Sequence, residues 1–227
     1  MDERVRQAGR LYERAVFSGE DGPLAEADRQ LDAAEADLAV ARGRVLHTRF
    51  LLRRDEDQSA AREDPAELAL FERAVQLYRA LGDVRGESEA LFWAGCFHQI
   101  ARRDNATAVP ALERSLELAS QAGDKAVMSE ALRHLGIAAH AAGRLDAARQ
   151  RLEESTRLRR EIGLLPGVAA NLVGLAYIAA AQERHEDALA LLDEANALAE
   201  ASNAERIRQQ VTQARAELPD QMGHRPA

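Results

Sequence analysis

The sequence predicts an all-α protein, a right-handed superhelical solenoid of antiparallel helix pairs. Apolar residues make up 46% of the 227 positions but aromatic residues only 4%, which favours a core of Ala and Leu between closely packed helices. Pro and Gly, at 6 and 14, are too scarce for a turn-rich β fold. Similar segments recur: Phe71 to Leu112 is 41 residues, and Leu112 to Leu152 and Leu152 to Leu192 are 40 each. A period of this length is typical of a solenoid.

The turns between the helices have their own signature. Gly82 and Gly123 are each followed by an aspartate. Glycine there can close a helix in the left-handed conformation, and the aspartate can cap the next helix. Asp64 before Pro65 has the same capping pattern, and we expect Thr107 to cap the following helix.

Small residues recur at the points where paired helices should touch. Each pair carries one on its first helix and one on its second, which allows a short distance between the helix axes. These residues are Gly95, Gly136 and Ala176 on the first helices and Ala108, Ala148 and Ala188 on the second.

The segment LRHLGIAAHAAGRLDAARQRLEES, from Leu132 to Ser155, resembles the tetratricopeptide repeat. That pattern contains Leu-Gly, an aromatic residue, a later Ala and a bulky apolar residue four positions on. Leu135-Gly136, Ala148 and Leu152 match it, whereas Ala139 replaces the aromatic residue. The resemblance covers 36–217, and its period of 40 to 41 exceeds the usual length of about 34. This longer repeat is similar to the extended repeats attached to some bacterial regulators.

The repeat boundaries divide the chain into four parts. We predict an N-terminal helical cap or degenerate repeat (1–35), the solenoid (36–202), a C-terminal capping helix (203–218) and a disordered tail (219–227). Separate helices are expected at 23–34 and 36–53, followed by a polar loop at 54–64. The last helix has Ile207 and Val211 on one face and is otherwise charged, as a cap on an open solenoid requires.

Charge and composition exclude several classes of partner. The net charge of −8 opposes binding to nucleic acid, and we interpret the basic stretch 157–163 as a solvated helix face. The chain has no apolar run of about 18 residues, a charged start without a signal-peptide core, and one cysteine. These features predict a cytoplasmic protein with no membrane partner. Lysine occurs once, so 30 − 1 = 29 basic residues are arginine, a bias typical of high-GC bacteria.

Trp93, Cys96 and His98 form the strongest candidate cluster for chemistry. Cys and His two positions apart on a helix point to different sides, so they cannot share a metal ion. We therefore predict no catalytic residue, metal or cofactor, and expect Trp93 in the core between repeats. A metal-dependent or hydrolytic enzyme that uses His98, His134 and His140 stays open as an alternative.

In tetratricopeptide proteins the first helix of each pair lines a concave face that holds a partner. Its counterparts by register are Glu89, Phe92, Cys96, Gln99, Ile100, Glu130, Arg133, Ile137, His140, Val173, Tyr177 and Ala180. The resemblance implies a non-enzymatic scaffold that binds a peptide or protein segment in this groove. The alternative is a regulatory or sensor module that holds a signalling peptide or small ligand. Self-association as a homodimer through an exposed terminal helix is a further alternative.

Overall fold

The computed structural model describes residues 1–57 and 62–223, with side chains up to residue 218. All regular structure in this part is helical, so the predicted all-α class is confirmed. The helices are α1 (Glu3–Ser18), α2 (Gly22–Glu56), α3 (Pro65–Leu81), α4 (Val84–Cys96, extended by a π-helical turn at Phe97–Ala101), α5 (Asn105–Ala122), α6 (Lys125–Ala141), α7 (Leu145–Glu161), α8 (Leu165–Ala181), α9 (His185–Ala201) and α10 (Glu205–Gly223).

The helices belong to two compact units, Met1–Gly123 and Asp124–Ala227. In the first unit, α2 packs against α3 and α4 against α5, while α1 lies against α2. In the second unit, α6 pairs with α7 and α8 with α9, and α10 covers α8 and α9. Short connections make neighbouring helices antiparallel, so the predicted helix pairs are confirmed. The handed superhelix stays a prediction.

Aspartates cap several of the helices, as predicted for α3, α4 and α6. The Asp83 carboxylate, for example, accepts from the backbone N–H of Gly86 at 2.9 Å. The expected cap of α5 was wrong by three residues. Asp104 is its cap, and its carboxylate accepts from both the N–H and the hydroxyl of Thr107 at 3.1 and 2.5 Å. Thr107 therefore lies in the first turn of α5.

The predicted close approach of paired helices at the small residues is confirmed, because a side chain added there would have no room. A Cβ added to Gly95 would lie 2.8 Å from the side chain of Leu112, and one added to Gly136 would lie 3.1 Å from Leu152. Gly43 on α2 has the same role, since its added Cβ would lie 2.4 Å from the Phe71 ring. The α2/α3 pair therefore has the geometry of the later pairs.

The N-terminal region differs from the prediction because α2 is one helix of 35 residues. A break was expected at position 35, but the stretch from Leu24 to Arg42 contains neither Gly nor Pro and is rich in Ala, the best helix former. Arg4 of α1 reaches this stretch by donating to the Ala33 carbonyl at 3.2 Å and pairing with Asp37 at 2.7 Å. The predicted boundary between cap and solenoid thus falls inside a continuous helix.

The π-helical turn of α4 explains why one period is 41 residues and the next two are 40. Gly95 and Leu112 are 17 positions apart, whereas Gly136 and Leu152 are 16 apart. At the end of this turn, the N–H of Arg102 donates to the carbonyl of Phe97 at 3.3 Å, five residues back. The wider turn takes up the additional residue, and α5 then resumes the register.

The C-terminal helix closes the core of the second unit. Val211, Ala214 and Leu218 are buried in that core, and Ile207 is partly buried against it. Helix α10 continues to Gly223, five residues into the segment predicted as a disordered tail. The remaining predicted tail, 224–227, lies outside the described residues.

Candidate functional site

A buried serine pair joins the two helices of the central repeats. The Ser115 hydroxyl donates to the carbonyl of Ser88 at 2.8 Å, and the Ser155 hydroxyl donates to the carbonyl of Ser129 at 2.6 Å. The register-equivalent residues of the outer pairs are Ala36 and Ala74 in α2/α3, and Ala169 and Ala195 in α8/α9. All eight positions are fully buried. This polar pairing is therefore structural and confined to the inner repeats.

Arg159 lies at the centre of a buried polar network in the second unit. It was predicted to lie on a solvated face, but its side chain is only 3% exposed. Its guanidinium pairs with Glu130 at 2.6 Å and donates to the Gly167 carbonyl at 2.8 Å and to Asn171 Oδ1 at 3.0 Å. Burial lowers the pKa of Arg159, although the Glu130 carboxylate opposes that shift.

A glycine on α8 leaves the space that the Arg159 side chain of α7 occupies. An added Cβ at Gly167 would lie 2.9 Å from Arg159, so only glycine leaves room for it. In the first unit Tyr78 has the equivalent position and faces Gly86, whose added Cβ would lie 2.4 Å from the ring. A large side chain on the second helix of one pair is thus matched by glycine on the next helix.

Two predicted groove residues, Glu130 and Arg133, belong to this network. Arg133 donates to the Ala170 carbonyl and to Asn171 Oδ1, both at 3.0 Å. Asn171 in turn donates to the hydroxyl of Ser155 at 2.8 Å. Both Glu130 and Arg133 are partly exposed, so the network reaches the surface of α6 and α8.

An aromatic cluster joins α2, α3 and α4 in the first unit. The Trp93 ring stacks on Phe71 with centroids 6.0 Å apart and packs against the core of α2 and α3, so its predicted place between repeats is confirmed. The Arg44 guanidinium lies 5.3 Å from the Trp93 centroid, a cation–π contact, and pairs with Glu89 at 3.3 Å. Trp93 is only partly buried. The surface of α2 and α4 therefore presents a partly exposed aromatic ring beside an Arg–Glu ion pair.

A buried His–Glu pair beneath this cluster was missed by sequence analysis. His47 Nδ1 lies 2.7 Å from Glu67 Oε1, and the two side chains are 4% and 0% exposed. The His47 ring also meets Trp93 edge to face at 5.7 Å. The partners are 20 residues apart on different helices, so no local motif marks them. Only the register of α2 against α3, which brings Gly43 to Phe71, could have indicated it.

The other predicted groove residues divide by exposure. Phe92, Cys96, Gln99, Val173 and Ala180 are buried. Those with accessible surface are Glu89, Ile100, Ile137, His140 and Tyr177. The Tyr177 hydroxyl donates to Glu217 of α10 at 2.8 Å, and partial burial, followed by this hydrogen bond, raises its pKa to about 12.

Comparison with known proteins assigns the repeats. Residues 93–161, from Trp93 in α4 to the end of α7, match the family model of the tetratricopeptide repeat. Tetratricopeptide repeats are thus identified in this segment, 93–161. Comparison with curated protein sequences gives no match. Among solved structures, BtubC (BKLC) from P. vanneervenii is similar over 89% of this chain and 93% of that chain, at 15% identity and a TM-score of 0.47.

The tetratricopeptide repeats also contain the candidate cluster for chemistry. Cys96 is 1% exposed, and among the described residues the buried Nδ1 of His98 has no hydrogen-bond partner. Within the described residues, no three His, Cys, Asp or Glu side chains form a group that could hold a metal ion. No helix in the same part of the chain is long and apolar enough to cross a membrane.

Proposed function

We propose that the tetratricopeptide repeats form a non-enzymatic scaffold, and that a peptide or protein segment binds across the first helices of the repeat pairs. Tetratricopeptide repeats are generally modules for binding other proteins, which supports a protein partner. In the first unit the segment would lie on α2 and α4. In the second unit it would lie on α6 and α8, beside the exposed side chains of Ile137 and His140.

The observation that carries the proposal is the surface formed by Arg44, Trp93 and Glu89. Trp93 is partly exposed, and its ring is flanked by Phe71 and the Arg44 guanidinium, so the accessible part of the ring can contact an apolar or proline side chain. The Arg44 and Glu89 side chains are 54% and 39% exposed, and each retains hydrogen-bonding capacity for a peptide backbone. Aromatic and arginine side chains are the residues most enriched at protein interfaces.

Trp93 is the only tryptophan of the chain, so its fluorescence reports on this surface. The test uses peptides selected from a random library against the immobilised protein. We expect a selected peptide to change Trp93 emission on titration. The Arg44→Ala, Glu89→Ala double variant should weaken that peptide at least about tenfold, the loss of a few polar interface contacts.

The chain offers a matched control on α5, where Arg114 and Glu117 form an exposed ion pair at 2.6 Å. Arg114→Ala with Glu117→Ala should leave affinity unchanged. The binding surface would lie elsewhere if the selected peptides bound without changing Trp93 emission and neither double variant altered their affinity.

A sensor module that holds a small ligand is the alternative for the same surface. Titration with candidate small ligands, read by the same Trp93 signal, separates it from a scaffold for protein segments. As part of the same proposal, the protein is a non-enzymatic, cytoplasmic protein of bacterial origin.

A further inference from the structure

Helix α2 carries a line of exposed apolar residues that the repeat fold does not use. Leu24, Leu31, Leu38, Val45 and Leu52 are spaced by seven positions and are 38%, 44%, 61%, 50% and 55% exposed. Single exposed apolar side chains are ordinary, whereas a continuous apolar patch marks an interaction surface. We call these five residues the α2 stripe. A seven-residue spacing keeps such a stripe on one face when two helices coil around each other.

Small side chains lie beside the α2 stripe. Ala34 and Ala41 each follow a stripe residue by three positions and have accessible surface. Near the C-terminal half of α2, a groove of about 620 Å³ is lined by Leu38, Ala41 and Val45 together with residues of α3. A second helix could therefore approach α2 closely and place its own large side chains between those of the stripe.

The α2 stripe is symmetric about its middle residue. Leu38 lies 14 positions from both Leu24 and Leu52, and 7 positions from both Leu31 and Val45. A two-fold axis at Leu38 would therefore place every stripe residue of one copy opposite a stripe residue of an antiparallel second copy. Such self-complementarity is the requirement for a two-fold symmetric dimer.

Charge supports the antiparallel direction. From Gly22 to Leu38, α2 has five acidic residues and one arginine, while from Ala39 to Glu56 it has five arginines and two acidic residues. Antiparallel pairing places the acidic half of each copy against the basic half of the other. Parallel pairing would place like charges together, which is destabilising.

Individual flanking charges fit the same arrangement. Asp28, Glu35, Arg42 and Arg49 follow the α2 stripe residues by four positions, so they border the stripe on one side. In the described structure Asp28, Arg42 and Arg49 form no ion pair, whereas Glu35 is held by Arg73 at 2.6 Å. About a two-fold axis at Leu38, Asp28 lies opposite the second copy's Arg49.

We propose that two copies of this chain form an antiparallel dimer through the α2 stripe. From Leu24 to Leu52 the stripe is 28 residues long, about 42 Å of helix. With a helix width of about 12 Å, the pairing covers about 500 Å² per copy and about 1,000 Å² in total, at the lower end for specific complexes. This dimer does not require a peptide at Trp93, although Val45 of the α2 stripe and Arg44 of the peptide surface line one groove.

Sedimentation velocity of the full chain at micromolar concentration tests the dimer. We expect a species of twice 24.9 kDa that dissociates on dilution. Leu38→Glu places two carboxylates against each other at the two-fold axis and should weaken the dimer at least about tenfold. Leu189→Glu, at a 53% exposed position of α9, is the matched control and should leave the dimer intact.

Charge reversal tests the direction. Arg49→Asp should weaken the dimer because it faces Asp28 of the second copy. Adding Asp28→Arg in the same chain should restore affinity, since the two reversals exchange the signs of the pair. A monomer at all concentrations, a dimer insensitive to Leu38→Glu, or an absence of rescue would each overturn the antiparallel dimer.

Discussion

His47 on α2 and Glu67 on α3 form a buried pair, with Nδ1 and Oε1 2.7 Å apart and almost no access to solvent. Glu67 Oε2 is also buried and has no hydrogen-bond partner in the described structure. This pair connects two helices beneath Trp93. Removing either side chain would therefore leave the other buried without the hydrogen bond that they share.

Removing one member of this pair should be costly. His47→Ala leaves the Glu67 carboxyl buried without a partner, and we expect the free energy of unfolding to fall by about 3–5 kcal/mol. The double variant His47→Leu, Glu67→Leu removes both polar groups and should recover much of that loss. Urea unfolding measures both. A double variant less stable than His47→Ala would contradict this account.

The close approach of α4 and α5 predicts a ranking of glycine variants. Gly95→Ala places a Cβ 2.8 Å from Leu112 and should lower stability by about 1–3 kcal/mol despite better helix propensity. Gly136→Ala, with 3.1 Å to Leu152, should cost less. Gly9→Ala in α1 meets no atom within 4 Å and should raise stability by up to about 1 kcal/mol. Thermal unfolding checks the order, and equal shifts at all three sites would refute it.

The geometry around Arg159 requires a guanidinium. Arg159→Lys keeps the charge but cannot reach Glu130, Gly167 and Asn171 together, so we expect a loss of about 2–4 kcal/mol in chemical denaturation. Arg160 provides the control, since it is 53% exposed and its ion pair with Glu194 lies on the surface. Arg160→Lys should change stability by less than about 0.5 kcal/mol. Similar losses for both variants would show that the buried network does not stabilise the fold.

His98 should make stability depend on pH. Burial, and then the charge of Arg102, lowers its pKa below the ordinary value of 6.5. The unfolded chain therefore binds the proton more readily, and stability is lost as the pH falls below about 6.5. The melting temperature should drop between about pH 7.5 and 5.5, and less so in His98→Gln. An equal drop in both proteins would assign the effect to other groups.

Much of the fold could be predicted because helix pairs repeat their packing positions. The small residues near Gly95 and Gly136 and the aspartate caps follow from local chemistry. The repeat register also indicates that Arg159 is buried, because the residues at the equivalent positions, Tyr78, Ala119 and Ala199, are all buried. An arginine at such an inward position needs polar partners, and its burial therefore indicates a polar network.

The candidate surface was harder to predict because exposure depends on neighbouring helices. Phe92, Arg133 and Val173 share one register, yet Arg133 is partly exposed and the other two are buried. The continuity of α2 was also missed, since the period of the repeats gives no information about a helix longer than one repeat. The His47–Glu67 pair has no counterpart in other repeats from which it could be inferred.

The π-helical turn at Phe97–Ala101 shows how the protein tolerates a change in chain length. One surplus residue is absorbed within α4, before α5 begins, and each later helix keeps its place in the 40-residue pattern. If the additional residue had not been absorbed in α4, α5 would be rotated by about 100°, and Leu112 would no longer face Gly95. Lengthening of the gene at this site is therefore compatible with an unchanged interior.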